Sequence, residues 1–423
     1  MLNLTGHAIF LENNGHGYVF NGNKKKLLVT NLSVITILKL CNGRRTLDDV
    51  IDFFDASVQN DVHKVIQELI DLDILVDKNT FIRTPKYEDV TSFFLSLTHC
   101  CNLKCHFCLK HNPAEYKELE LKQWMEIVDI IDNFNDKEKL IYLSGGEPLI
   151  MTQFGELYKY IYQKGIKVVV YSNGTLFNES IYNMLQQYPP IAILLSIDGS
   201  NREIHDRQRG VKGTFDKLLA TSKKLLMLDK VQVFWQVVVD RNNLTDMENI
   251  AKLACELGVK NIHYGLISAI GKGIDNVSKL TSQEMVHFYD NCYEIGIKYK
   301  GVLNINLPVQ VGKTENGIGD FSSCGIGNMI HINEQGFVSP CYGWEAEQYN
   351  VGPISSIDDL KKVDFLEFFN RAVTDYESCS MCGVRNICRG GCKVEIYNLT
   401  GDLHGCNEEK KDALEKFILN RMK

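Results

Sequence analysis

The sequence carries no excess of basic charge. Lys and Arg number 46 against 53 Asp and Glu, a formal net charge of −7, so there is no electrostatic footprint for a polyanion and no nucleic-acid partner is expected. The start, MLNLTGHAIFLENNGHGY, lacks the basic stretch followed by an apolar one that marks an export signal. No apolar run approaches the roughly 18 residues of a membrane span. The expectation is a soluble cytoplasmic protein with no membrane partner. A chain of 423 residues with 44% hydrophobic content has room for two or three domains, at least one with a large core.

Cysteine, in contrast, is plentiful: the chain has 14. Disulfide frameworks suit small secreted chains with weak cores, which this is not expected to be. In a reducing compartment, clustered cysteines bind metal or do redox chemistry. Cys41, Cys255 and Cys292 sit alone in helical-looking apolar stretches and read as small core residues. The others fall into two groups, at 100–108 and 324–406.

Three regions differ in pattern. Residues 1–88 show short strand candidates, HAIFLENN and YVFNGNKKKLLVTN, then three helical patterns, the second opened by a capping box at Thr46 and Asp49. Strands followed by three helices suggest a winged-helix domain. Residues 89–305 alternate. SFFLSLTHC, KLIYLSGGEP, KVVVYSNGT, IAILLSIDGS, VQVFWQVVVD and NIHYGLISAI read as buried parallel strands, with amphipathic helices between them. A further helix after the last strand has the capping box Thr281–Glu284. Six such units are too few for the closed eight-unit barrel. The expected fold class is therefore α/β, a partial (β/α)6 TIM-like barrel open on one side. THCCN, SGGEP, SNGT and SIDG all end strands, the edge where parallel α/β folds place one site. Residues 306–423 are irregular, rich in Cys and Gly and short of strong helix, as in a domain held together by metal.

The first cysteine group, THCCNLKCHFCLKHN, spaces Cys101, Cys105 and Cys108 as C-x3-C-x2-C. Zinc sites normally take four ligands in two pairs. Three thiolates on one loop suit a 4Fe–4S cluster with one iron left open. Cys100, adjacent to Cys101, reads as a spare strand-end thiol. At this point the sequence resembles the radical S-adenosylmethionine (radical SAM) enzymes over roughly residues 91–300. The C-x3-C-x-aromatic-C loop, GGEP, SNGT, SIDG, HDRQRG and GKG occur in that family's order. The resemblance implies that S-adenosylmethionine binds the open iron and that one electron cleaves it to methionine and a 5′-deoxyadenosyl radical. It implies that Phe107 covers the adenine and that Gly145 and Gly146 let backbone approach closely. It also implies that Glu147 holds the cofactor's amino group, and that Ser196 and Arg209 lie near its ribose and carboxylate ends. The cofactor carries the hard chemistry, so no general base is assigned. A flavodoxin- or ferredoxin-type donor would supply the electron.

The second group reads Cys324, Gly336, Cys341, then Cys379-x2-Cys382-x5-Cys388-x3-Cys392, then Cys406. This grammar resembles the SPASM extension of some radical SAM enzymes, a C-terminal Cys-rich iron–sulfur domain with two auxiliary 4Fe–4S clusters, three in all. The resemblance assigns Cys379, Cys382, Cys388 and Cys406 to an outer cluster, and Cys324, Cys341 and Cys392 to an inner one. Many members have a further upstream cysteine, but ENGIGDFSS has none. The inner cluster is then left with an open iron, or Cys292 folds in as its fourth ligand. The N-terminal region resembles the RiPP recognition element, carried by NGRRTLDDVIDFF and LIDLDILVDK. Such modules capture leader peptides by strand addition. Together these imply a maturase that cross-links a ribosomally made precursor peptide, with a thioether from a peptide cysteine favoured. The alternatives are a carbon–carbon or ether link, epimerisation, formylglycine-type sulfatase maturation, or a DNA-binding redox sensor.

Overall fold

The computed structural model of the chain describes residues 1–5, 8–21, 26–77, 90–110, 117–306, 329–344, 351–362 and 376–421. Cys324 therefore lies outside the described residues.

The N-terminal module comprises β1 (Leu2–Leu4), β2 (Ala8–Asn13), β3 (His16–Asn21), β4 (Lys26–Thr30), α1 (Leu32–Leu40), α2 (Leu47–Ile51), α3 (Gln59–Asp71) and β5 (Leu75–Asp77). Strands β2, β3 and β4 form an antiparallel sheet in that order, and β1 pairs with β5, tying the module's two ends together. The β2–β3 hairpin turns on Asn14 and Gly15, both at positive φ (49° and 78°), the conformation whose twist matches flanking strands. The Thr46–Asp49 capping box opens α2 as the sequence suggests. Strand β2 serves two cores by simple alternation. Ala8 and Phe10 face the module's own core with Leu38 and Ile66, while Ile9 and Leu11 enter the main core of the chain.

The six expected parallel strands are present: β6 (Ser92–Ser96), β7 (Leu140–Ser144), β8 (Lys167–Ser172), β9 (Ala192–Ser196), β10 (Gln232–Val239) and β11 (Asn261–Leu266). Three more extend the sheet to nine: β12 (Asn304–Asn306) lies parallel beyond β11, β13 (Met329–Ile332) lies parallel beside β6, and β14 (Val338–Ser339) is antiparallel at the far edge. The added strands are two to four residues long, too short to show a period in the sequence. Its outermost strands differ, so the sheet is open.

Helices α4 (Leu121–Asp132), α5 (Phe154–Gln163), α6 (Glu179–Gln187), α7 (Arg202–Arg209), α8 (Thr214–Leu225), α9 (Met247–Leu257) and α10 (Ser282–Lys298) follow the strands. One face of the sheet packs on them through Phe93, Leu95, Leu143, Val170, Leu195, Trp235 and Tyr264, where most of the core sits. The alternate residues make the other face. There Phe94 meets Tyr142 and Tyr171 at centroid distances of 6.2 and 5.6 Å, and Tyr342 stacks on Phe94 at 4.9 Å.

The C-terminal region is more helical than its sequence suggests. Beyond short helices at Glu377–Ser380, Arg385–Cys388 and Lys393–Thr400, residues Glu408–Arg421 form a 14-residue helix. Its EEKKDALEKFILNR string hides a narrow apolar stripe, Ala413, Leu414, Phe417 and Ile418. The stripe packs on α10, with Phe417 at 5.7 Å from Tyr289, and Arg421 pairs with Asp290 at 2.9 Å. Among the described residues no helix is long and apolar enough to cross a membrane.

Candidate cofactor and cluster sites

The loop after β6 carries Cys101, Cys105 and Cys108 at the C-terminal edge of the parallel sheet, and the motifs at the ends of the other strands converge on it. After β7, Gly146 N–H donates to Thr98 O (2.7 Å) and Glu147 N–H to Cys100 O (2.9 Å). A Cβ at Gly145 would lie 2.4 Å from Thr98 O, and one at Gly146 2.2 Å from Cys100 O. The close backbone approach these glycines permit is to the cysteine loop itself. After β8, Asn173 Nδ2 donates to Asn102 Oδ1 (2.9 Å) and points at Cys101 Sγ (4.0 Å), while Asn102 Nδ2 donates to Thr175 Oγ1 (2.8 Å). After β11, Lys272 N–H donates to Cys108 O at 2.9 Å. Gly271 is held so close that a Cβ there would lie 2.1 Å from Leu109 O.

Glu147 is fully buried. Its carboxylate accepts hydrogen bonds from Ser172 Oγ (2.8 Å), Asn173 N–H (2.7 Å) and Leu149 N–H (3.3 Å). Burial pushes its pKa up to about 7, against the downward pull of these bonds and of Arg209. SNGT thus serves Glu147 as well as the cysteine loop.

Arg209 ends α7. Its Nε lies 2.6 Å from Asp198 Oδ2, its Nη1 donates toward Cys105 Sγ at 3.7 Å, and its guanidinium sits 5.4 Å over the Phe107 ring. The structure thus brings Arg209, Phe107 and Cys105 together. Ser196 closes β9 in register with Gln236, on the sheet face opposite the helices. Cys100 is exposed.

Two functional groups escaped the sequence reading. Asp198, inside SIDG, is fully buried, and burial pushes its carboxyl up while Arg209 opposes that shift. Asp240, after β10, is the hub of a second network. Its Oδ2 lies 2.7 Å from His106 Nε2 and accepts from Ser278 Oγ (2.7 Å), and its Oδ1 accepts from Gln208 Nε2 (2.9 Å). Burial raises the Asp240 pKa, but the bonds from His106, Ser278, Gln208 and Asn242 outweigh it and hold the carboxyl at about 2. His106 lies between two of the three loop cysteines, so this network fastens the loop from below.

Cys101 is, like Cys100, an exposed residue, yet partial burial of its thiol, with Glu147 and the other loop cysteines nearby, pushes its pKa up to about 11. The three thiols sense one another, yet among the described residues no three metal-ligating side chains close around a single ion. The donors of Asn173 and Arg209 aimed at sulfur fit an anionic group held by these cysteines.

In the second group, Cys379, Cys382, Cys388, Cys392 and Cys406 line one cavity together with Arg385, Lys410 and Lys411. Cys341 and Cys392 also pack in an apolar cluster with Leu109, Ile270, Trp344 and Val394. Cys392 therefore stands between the two subsets. Cys292 is buried in the main core behind the sheet, and burial drives its thiol pKa far up. It does not line the cysteine cavity.

The Radical SAM superfamily profile matches residues 95–254. The antilisterial bacteriocin subtilosin biosynthesis protein AlbA of Bacillus subtilis (strain 168) is 28% identical over 251 residues, covering 58% of this chain and 53% of AlbA, so the chain spans about half of that relative's length. The AdoMet-dependent heme synthase of Methanosarcina barkeri is 26% identical, covering 72% of this chain and 92% of that protein. Among solved structures, Streptococcus suis SuiB bound to precursor peptide SuiA aligns with a TM-score of 0.61 at 15% identity, covering 96% of this chain and 98% of SuiB. That alignment is a likeness of fold. The superfamily profile thus lies on the cysteine loop and on the motifs that clamp it, and residues 95–254 match the Radical SAM superfamily.

Proposed function

We propose that this enzyme is a maturase of ribosomally made peptides, binding a leader segment with its N-terminal module and cross-linking the core of the same precursor. The observation that carries this reading is the free edge of β4. In the order β2-β3-β4 that strand has one partner among the described residues, and Val29 on it is 64% exposed. An unpaired edge is a template for strand addition, as the winged-helix, leader-capturing reading of residues 1–88 requires. The likeness to AlbA and to SuiB, which was solved with its precursor peptide, supports the same substrate class.

Cys101, Cys105 and Cys108 would hold a 4Fe–4S cluster, and S-adenosylmethionine on its open iron would supply the hydrogen-abstracting chemistry. Glu147, its carboxylate aligned by Ser172 and Asn173, would take the cofactor's ammonium group. Phe107, held under Arg209, would cover the adenine, with Ser196 toward the ribose. The aromatic face of Phe94, Tyr142, Tyr171 and Tyr342 would seat the peptide core and keep water from the reacting carbon. In the SPASM reading, residues 306–423 would hold two further clusters, the outer on Cys379, Cys382, Cys388 and Cys406, the inner on Cys324, Cys341 and Cys392. An inner cluster with three protein ligands leaves an iron for a substrate thiolate, which favours a thioether product.

The test is reaction with the precursor peptide encoded beside the enzyme, read by mass spectrometry with and without thiol alkylation. A product two mass units lighter that has lost one alkylatable cysteine is expected. A lighter product that alkylates at every cysteine would exclude the thioether in favour of a carbon–carbon or ether link. Unchanged mass with deuterium uptake in heavy water would mean epimerisation. For the leader site, Val29→Asp places a charge on the edge strand. It is expected to weaken binding of a synthetic leader peptide about tenfold, or ~1.4 kcal/mol, in fluorescence anisotropy. Unchanged affinity would remove β4 from the leader site.

A further inference from the structure

The cavity lined by Cys379, Cys382, Cys388, Cys392 and Cys406 has three cations in its wall, Arg385, Lys410 and Lys411. Two are already balanced. Lys410 lies 3.2 Å from Glu395, and Lys411 3.1 Å from Glu408. Arg385 is different. It is 1% exposed, among the largest fully buried side chains of the chain, and among the described residues no carboxylate pairs with it. Its Nη1 donates to the carbonyls of Ser380 (3.2 Å) and Cys382 (3.3 Å), its Nη2 to that of Cys41 (3.0 Å), and its Nε is buried without a partner.

A buried guanidinium satisfied only by neutral carbonyls is costly unless an anion lies close by. Here the cysteines supply the anion: Arg385 shares the cavity wall with Cys379, Cys382, Cys388 and Cys406 and bonds the Cys382 carbonyl, so a cluster held by those thiolates would be the negative charge beside it. The same arginine closes the seam with the N-terminal module. It sits 5.8 Å from the Phe10 ring and bonds the Cys41 carbonyl. Its neighbour Asn386 donates to the Thr5 and Ala8 carbonyls at 2.9 and 2.8 Å, and Phe10 N–H donates to Gly383 O at 3.3 Å. Gly383 is pressed so hard on β2 that an added Cβ would lie 1.7 Å from Phe10 O.

We infer that Arg385 is the counter-charge of the cluster held by Cys379, Cys382, Cys388 and Cys406, a positioning residue that raises its reduction potential. The docked N-terminal module, by sealing Arg385 from water, keeps that charge at full strength. The inference rests on the cluster reading of these cysteines. A fixed positive charge in a low-dielectric wall favours the reduced, more negative state of the cluster over the oxidised one. The module that would hold the leader peptide therefore also sets how readily the outer cluster accepts an electron.

The test uses the full chain with Cys101, Cys105 and Cys108 all changed to Ala, so that only auxiliary iron remains. It is reconstituted with iron and sulfide and titrated by potentiometry with EPR detection. Arg385→Met should keep the iron and sulfide content and shift one auxiliary midpoint to lower potential by at least tenfold in the reduction equilibrium, 59 mV for a one-electron couple. Arg385→Lys, which keeps the charge, should stay near the parent. Full iron content with both midpoints unmoved in Arg385→Met overturns the inference alone. Absence of auxiliary iron in the parent overturns the cluster reading and the inference with it. Should Arg385→Met fail to hold iron, Arg385→Lys decides. The parent midpoint then supports the counter-charge, and a drop of the stated size overturns it.

Discussion

Glu147→Gln is expected to weaken binding of S-adenosylmethionine to the cluster-loaded enzyme roughly tenfold to a hundredfold, the loss of a charge-assisted hydrogen bond worth about 1.5–3 kcal/mol. The amide keeps the side chain's shape and one acceptor. It loses the charge that would face the ammonium, and its NH2 is set against one of the two donors, Ser172 Oγ or Asn173 N–H. The pH dependence of binding separates this role from a structural one. Burial raises the Glu147 pKa to about 7 from an ordinary 4.5. The ionised form, which the ammonium needs, therefore grows as pH rises through about 7, and binding should strengthen between pH 6 and 8 and then level off. The folded state binds the extra proton between pH 4.5 and 7, so stability from this group falls over that window while cofactor affinity gains. Glu147→Gln should bind weakly with no such slope. Equilibrium dialysis with labelled S-adenosylmethionine across that range decides the matter. Parent-like affinity in the Gln variant would take Glu147 out of the cofactor site.

The parts of this site that were legible in the sequence are contiguous strings at strand ends. GGEP could be placed because a β-α unit fixes where its loop emerges, and two glycines followed by an acid demand a tight turn with a carboxylate beside it. What those glycines touch was not legible, since their neighbours Thr98 and Cys100 belong to the preceding unit. The Asp240 hub was hidden for the same reason. Its partners lie 134 residues before and 38 after it in the chain, and no local pattern links them. Asp198 could have been found: a lone acid in SIDG, two residues beyond the end of a buried strand, needs a cation, and the arginines of HDRQRG follow. The three short strands β12–β14 and the sharing of β2 between two cores depend on tertiary pairing alone. The substrate is a different kind of gap. AlbA and a heme synthase match this chain at 28% and 26% identity, so the shared scaffold does not encode what is bound on it.

Asp240→Ala is expected to strip the iron of the first cluster while leaving any auxiliary iron in place, and to lower the thermal midpoint. The carboxylate is fully buried and holds His106, Ser278, Gln208 and the Asn242 N–H at once. Its removal leaves those groups unpaired, a loss on the order of 3–5 kcal/mol for a broken buried charged network. The damage should be local, because His106 belongs to the cysteine loop and Asn276 Nδ2 donates to its carbonyl from the adjoining segment at 2.9 Å. Freed from Asp240, the loop that spaces Cys105 and Cys108 loses its floor. Asp240→Asn, whose one oxygen can still accept from Gln208 and the Asn242 N–H and whose NH2 can donate to Ser278 Oγ, should retain most of the iron. The pH behaviour should contrast with that of Glu147. Hydrogen bonds depress the Asp240 pKa to about 2 from 3.8, so its contribution is complete above pH 3.8 and is lost only as pH falls through about 2. The stability gap between parent and Asp240→Ala should therefore be constant from pH 6 to 8 in calorimetry. Full iron loading in Asp240→Ala would mean that the glycine and asparagine contacts above the loop hold it unaided, and that the network below it is dispensable for the cluster.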